Sequence, residues 1–226
     1  VGMICSDLDG LSACGKRAGR SLSAHIKLVK DTQNLSPMVP LYVCTLANSF
    51  DKLGIKYGSH DDPDAATRNY YAKIGARICE FPTRVIPARV AKANGDSVLM
   101  GAPNVVRRGS QSGNIAAVDL IRQGLCDALV SDYHYPSLSR AALLLADDGL
   151  LAFSKAWEMI SKKPAHIMGL TDRGEIADGK RADLVIMHAE TRQIEGTIAN
   201  GRWSHLCGAL ASRITTMPHR IPPSAA

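Results

Sequence analysis

His60, Glu80, Asn104 and Asp132 each stand in a short polar cluster directly after an apolar run: Ser59-His60-Asp61-Asp62, Glu80-Phe81-Pro82-Thr83, Gly101-Ala102-Pro103-Asn104 and Ser131-Asp132-Tyr133. A neutral imidazole followed by two acids suits a divalent metal, with the carboxylates as ligands or as acceptors that orient the ring. An acid such as Asp132 can bind metal and take a proton from a bound water, the two tasks of metal-assisted hydrolysis. Structural readings stand beside these. Asp62 before Pro63 has the form of a helix N-cap, Asp132 can cap a helix or tether a loop, Glu80 can simply end a strand, and His134 reads as a loop residue.

Gly101 to Asn114 is the least ordinary segment of the chain. Its glycines and serines lead into a helix and offer backbone N–H groups and hydroxyls, and Arg107 and Arg108 add charge, which together make a phosphate cradle. The competing reading is a flexible polar loop with two exposed arginines. Net charge points the same way without deciding: 27 Lys and Arg against 21 Asp and Glu give +6. That excess favours an anionic partner. No long basic block is present and only 5% of residues are aromatic, so a phosphorylated small molecule fits better than nucleic acid.

The elements that must position these clusters follow from the apolar spacing. A helix is expected over 41–53, a brief strand over 54–58, and a helix from Asp62 to about Ile74. Strand 76–80, helix 83–93, strand 97–100, helix 113–123, strand 128–130 and helix 137–146 continue the alternation. Short strands alternating with helices mean βαβ units and a parallel sheet. Such sheets and barrels carry their chemistry at the carboxyl ends of the strands, where the polar clusters fall. Beyond Ala152 come two short helices, the second ending at Gly169, then a polar link over 172–183. Strands over 184–187 and 194–199 and an Asn200-Gly201 turn close the pattern.

The expected organisation is a poorly defined segment over 1–40, a barrel portion over 41–170, a small β-domain portion over 171–212 and a disordered tail over 213–226. With 226 residues, 46% of them hydrophobic and 21% charged, the chain suits a soluble globular domain. No apolar stretch reaches the ~18 residues of a membrane span. The first residues lack the order of a secretory signal, so the expected compartment is the cytoplasm. Six cysteines without a C-x-x-C pair read as reduced thiols.

In order and spacing, the four clusters together with Leu99 to Arg107 and Ser112-Gly113-Asn114 closely resemble the α-D-ribose 1-methylphosphonate 5-triphosphate diphosphatases of the amidohydrolase superfamily. Gly169 to Ile176 and Gly179 to Val185 are similar to the superfamily's exit from the barrel into a small β-domain. The resemblance implies an α/β fold containing a (β/α)8 TIM-like barrel, and a metal-dependent hydrolase that releases pyrophosphate from a sugar triphosphate in phosphonate use. It implies a divalent cofactor, zinc or similar, with His60 and Asp132 as ligands and Asp132 also as the catalytic acid that contacts water. Asn104, Arg107, Ser110, Ser112 and Asn114 would line the substrate side.

Two departures qualify what is implied. The family's Gly-Gly-Ser-His-Ser-Gly loop reads Arg108-Gly109-Ser110-Gln111-Ser112-Gly113 here, and a glutamine does no acid–base work. The family's earlier His-containing motifs have no match before Leu41, and the barrel's eight units are met by about half that number, so a carboxyl-terminal portion of such an enzyme is expected. Two ligands also fall short of the ~3 to 4 that a zinc site uses. Hydrolysis of a carbon–nitrogen bond, or a truncated, non-catalytic binding or assembly module, remain as alternatives. A part-barrel exposes strand edges, which favours a homo-oligomer or a complementing chain.

Overall fold

The computed structural model describes residues 8–110 and 112–216. Cys5, Gln111 and the proline-rich end from Met217 lie outside the described residues. The chain forms two compact units, Val1–Tyr57 and Gly58–Ala226.

The first unit is helical: α1 (Leu8–Arg17), α2 (Leu22–Gln33), a 3-10 turn (Ser36–Met38) and α3 (Val39–Lys52). Ser21 caps α2 by accepting the Ala24 N–H at 3.3 Å. Gly54, at φ +66°, ends α3, and Ile55 N–H returns to Phe50 O at 2.9 Å. Residues 54–57 are therefore helix exit rather than the expected strand. The strand begins only where Gly58 finds Ile78 across the ladder.

The second unit opens with β1 (Gly58–His60), α4 (Ala65–Lys73), β2 (Ile78–Glu80), α5 (Val85–Ala93), β3 (Ser97–Gly101), α6 (Ala102–Val106), α7 (Ala117–Arg122), β4 (Ala128–Val130) and α8 (Ser137–Asp147). Its strands pair in parallel in the order β1-β2-β3-β4. Alternation along them separates two faces. Ser59, Cys79, Val98, Met100 and Leu129 are buried, and Ala88, Ala91, Leu120, Ala141, Ala142 and Leu145 of the helices join the same core. Alanines let the helices approach the sheet closely. Gly58 and His60 on the other face are exposed, and Ile78, Glu80, Ser97, Leu99 and Val130 are half-buried. The parallel βα sheet is the one the apolar pattern predicts, and it is a portion of the (β/α)8 TIM-like barrel that the family resemblance implies.

Asp62 does not cap α4. Asp64 does, accepting Thr67 N–H at 2.8 Å. Asp62 is fully buried and accepts from Ser59 Oγ at 2.6 Å and from Arg68 Nη1 at 3.2 Å. Arg68, also fully buried, donates further to Ser59 Oγ and to the Ala76 and Ile78 carbonyls. Its Nε lies 3.6 Å from Asp96 Oδ2. A buried guanidinium needs a countercharge more than a helix end needs a cap, because an unpaired buried charge is far costlier than a missing cap. The helix accordingly starts later than expected.

After α8 come α9 (Phe153–Glu158), α10 (Lys162–Met168), and the antiparallel sheet of β5 (Leu184–Met187), β6 (Ile194–Ala199) and β7 (Arg202–Leu206). Gly169 stops α10 in the left-handed conformation, φ 73°. Asn200 and Gly201, both at positive φ, make the tight β6–β7 hairpin, so β7 is a strand that the turn signal announced but the pattern did not. Helix α11 (Gly208–Thr216) then packs on β6, its start capped by the Glu195 carboxylate, which accepts from Ala209 and Leu210 N–H. The segment expected as a tail from 213 thus begins inside a helix.

Candidate active site

Three of the four strand ends make the same backbone move. Asp61 after β1, Phe81 after β2 and Asp132 after β4 sit at φ 58°, 52° and 50°. Left-handed backbone at non-glycine residues is uncommon and clusters where a site over-determines the chain. Hydrogen bonds hold two of the kinks, from Asp61 N–H to Glu80 O at 3.0 Å and from Phe81 N–H to Leu99 O at 2.9 Å.

These ends surround a cavity of about 170 Å³, lined among others by Asp61, Phe81, Asn104, Arg107, Asp132 and Tyr133. Ser110, Ser112 and Asn114 line it as well. The structure therefore brings together around one cavity all five residues expected on the substrate side, and Asp132 lines it too. Asn104 Oδ1 accepts Ala117 N–H at 3.0 Å, which fixes the amide and anchors the start of α7. Ser110 Oγ accepts Ser112 N–H at 3.2 Å and closes the loop on itself. Arg108 points elsewhere, to Asp148 at 3.1 Å.

His60 is placed beside the cavity and not among its lining residues. Its Nδ1 is 3.2 Å from Asp61 Oδ2, its Nε2 is 3.9 Å from Glu80 Oε2, and its ring meets Phe81 edge-on at 5.2 Å. Burial pushes the Glu80 carboxyl above its ordinary value; His60 pulls it back, while the Asp132 and Asp61 carboxylates push it further up. A cavity lined by the carboxylates of Asp61 and Asp132 together with an arginine, hydroxyls and amides can hold a polyanion and accept a proton near it. Sequence reasoning placed Asp61 beside His60 as a ligand or as an acceptor that orients the ring, and left Phe81 and Tyr133 without roles in the pocket. Their adjacency to His60, Glu80 and Asp132 was the available signal.

The βα units with a cavity at their strand ends define a chain of the βα-barrel class. The amidohydrolase family profile matches residues 10–204, and the chain belongs to that family. α-D-Ribose 1-methylphosphonate 5-triphosphate diphosphatase of Escherichia coli K12 is 45% identical over 142 residues, which cover 62% of this chain and 38% of that protein. The chain thus spans well under half of that curated relative. Among solved structures, N-acetylglucosamine-6-phosphate deacetylase from Pasteurella multocida is similar at 13% identity, TM-score 0.54, over 72% of this chain and 54% of its own. A Xaa-Pro dipeptidase is similar at 16% identity, TM-score 0.54, over 72% of this chain and 48% of its own. These two likenesses concern the fold alone.

Members of the amidohydrolase family generally use divalent metals. Among the described residues no group of three or more His, Cys, Asp or Glu side chains is arranged to hold an ion. With ~3 to 4 protein ligands usual for zinc, His60 and Asp132 do not make a metal site by themselves. No helix among the described residues is long and apolar enough to cross a membrane.

Proposed function

We propose that the chain carries the substrate-binding and proton-accepting side of a diphosphatase that releases pyrophosphate from a ribose triphosphate in phosphonate catabolism. One observation carries the reading: Asn104, Arg107, Ser110, Ser112 and Asn114 converge on the cavity that Asp132 also lines. Identity of 45% to a diphosphatase over 142 residues supports it. Arg107 neutralises phosphate charge, the hydroxyls and amides orient it, and Asp132 accepts the proton of the attacking water. A divalent metal, zinc or similar, enters this reading only through the family, with His60 and Asp132 as the donors this chain would offer.

The assay is pyrophosphate release from the ribose triphosphate, with divalent metal supplied. Asp132→Asn, which keeps shape and loses the base, is expected to lower the rate roughly 10²–10⁴-fold. A mild loss removes Asp132 from that role. The incomplete donor set among the described residues favours a second reading, a non-catalytic module that binds phosphorylated ligands. Triphosphate binding without any pyrophosphate release selects that one.

A further inference from the structure

Arg107 is exposed, and a free arginine samples many rotamers that binding a phosphate must freeze out. Here the side chain is already held. Its Cζ lies 5.9 Å from the centroid of the Tyr133 ring, and Nη1 donates to the Tyr133 hydroxyl. The two residues come from different strand ends. Arg107 closes α6 after β3, its N–H bonded to Pro103 O at 3.0 Å. Tyr133 follows Asp132, whose left-handed backbone redirects the chain after β4. Both residues line the cavity, and with Gly109 and Ser110 they also line a more open cleft.

We propose that Tyr133 is a positioning residue that presents Arg107 to the phosphoryl groups of a polyphosphate, tying the cation to the strand end that carries Asp132. The inference rests on the phosphate-binding reading above and names a residue that this reading did not use. An arginine has five N–H donors and the tyrosine hydroxyl takes one, which leaves a fork for phosphate oxygens. The contact with the ring, Cζ 5.9 Å from its centroid, further restricts where the guanidinium can sit.

The test is calorimetric titration of the full chain with inorganic triphosphate at low ionic strength. Arg107→Ala is expected to weaken binding roughly tenfold or more, as for loss of charge-assisted hydrogen bonds. Tyr133→Ala is expected to weaken it roughly three- to tenfold, and Tyr133→Phe, which keeps the ring, by less. The decisive variant is the double one. If Tyr133 acts through Arg107, Tyr133→Ala with Arg107→Ala binds no more weakly than Arg107→Ala alone. Full additivity of the two losses, or a Tyr133→Ala variant that binds like the wild type, overturns the proposal. Should Tyr133→Ala fail to fold, Tyr133→Phe decides: a weaker constant supports the role, an unchanged one overturns it. A wild-type chain that does not bind triphosphate overturns the phosphate-binding reading itself, a result distinct from binding that ignores Tyr133.

Discussion

At the level of single residues, the buried Asp62–Arg68–Asp96 group is what connects stability to the site. Asp62 holds Arg68 with its carboxylate, while its carbonyl accepts Thr83 N–H at 3.1 Å, so one residue joins the end of β1 to the end of β2. Arg68→Ala leaves two buried carboxylates, of which, among the described residues, Asp96 alone keeps an ion-pair partner, Arg77 at 3.4 Å. The expected loss is about 3–5 kcal/mol, read by urea denaturation. Glu80 gives a pH signature. Its folded carboxyl is raised from 4.5 mainly by burial, so the native chain binds more protons than the unfolded one above that pH. Its contribution is therefore fully present below pH 4.5 and is lost as pH rises through the folded value. Glu80→Gln, always neutral, should gain on the wild type across that window when melting temperatures are compared between pH 4 and 7. A constant difference at all pH values contradicts this.

At the level of elements, the sheet depends on Gly58 as a close-approach position. A Cβ there would lie 2.5 Å from Ile78 O and 2.7 Å from Ile78 Cβ, and the first of these is backbone that cannot swing aside. Gly58→Ala should force β1 away from β2 at a cost of about 1–3 kcal/mol, seen as a lower urea midpoint. Triphosphate binding should weaken with it because Asp61 moves; an unchanged midpoint denies the clash. The same elements mark how far the sequence could be read. β4, β5 and β6 are where apolar runs between turn residues place them, since short strands bounded by Gly, Asp and Asn leave little choice. The five cavity residues expected on the substrate side came from the family resemblance, and the glycines, serines and arginines between Gly101 and Asn114 pointed to the same segment, although Asn104 itself sits within α6. β1 was displaced because Leu53–Gly54 looks like a boundary on either side, and only the pairing of Gly58 with Ile78 decides it. Arg68 was invisible: an arginine within Thr67-Arg68-Asn69 reads as helix surface, and nothing local says that Asp62 and Asp96 will meet it in the core.

For the whole molecule, the parallel sheet poses a question of coverage. Parallel strands occur almost only where both faces are covered, and their edges pair readily with other chains. Helices bury the Ser59, Cys79 and Val98 face completely, while the opposite face leaves Gly58 and His60 exposed and Ile78, Glu80 and Leu99 partly so. Strand β1 pairs only with β2 among the described residues. Elsewhere in the second unit, Phe153, Ile176, Val185 and Trp203 are exposed apolar side chains. Burial of such surface is favourable at about 25 cal/mol per Å², so a chain that keeps it in water gains by association. We expect self-association in solution: light scattering at rising concentration should give a mass above the 24.2 kDa of one chain. Apolar contact strengthens with sulfate and weakens with mild urea, so the mass should follow both, whereas salt-bridged assembly would fall apart as ionic strength rises. A mass fixed at one chain across the concentration series would show that this sheet face is stable in water, and the case for a partner surface would fall with it.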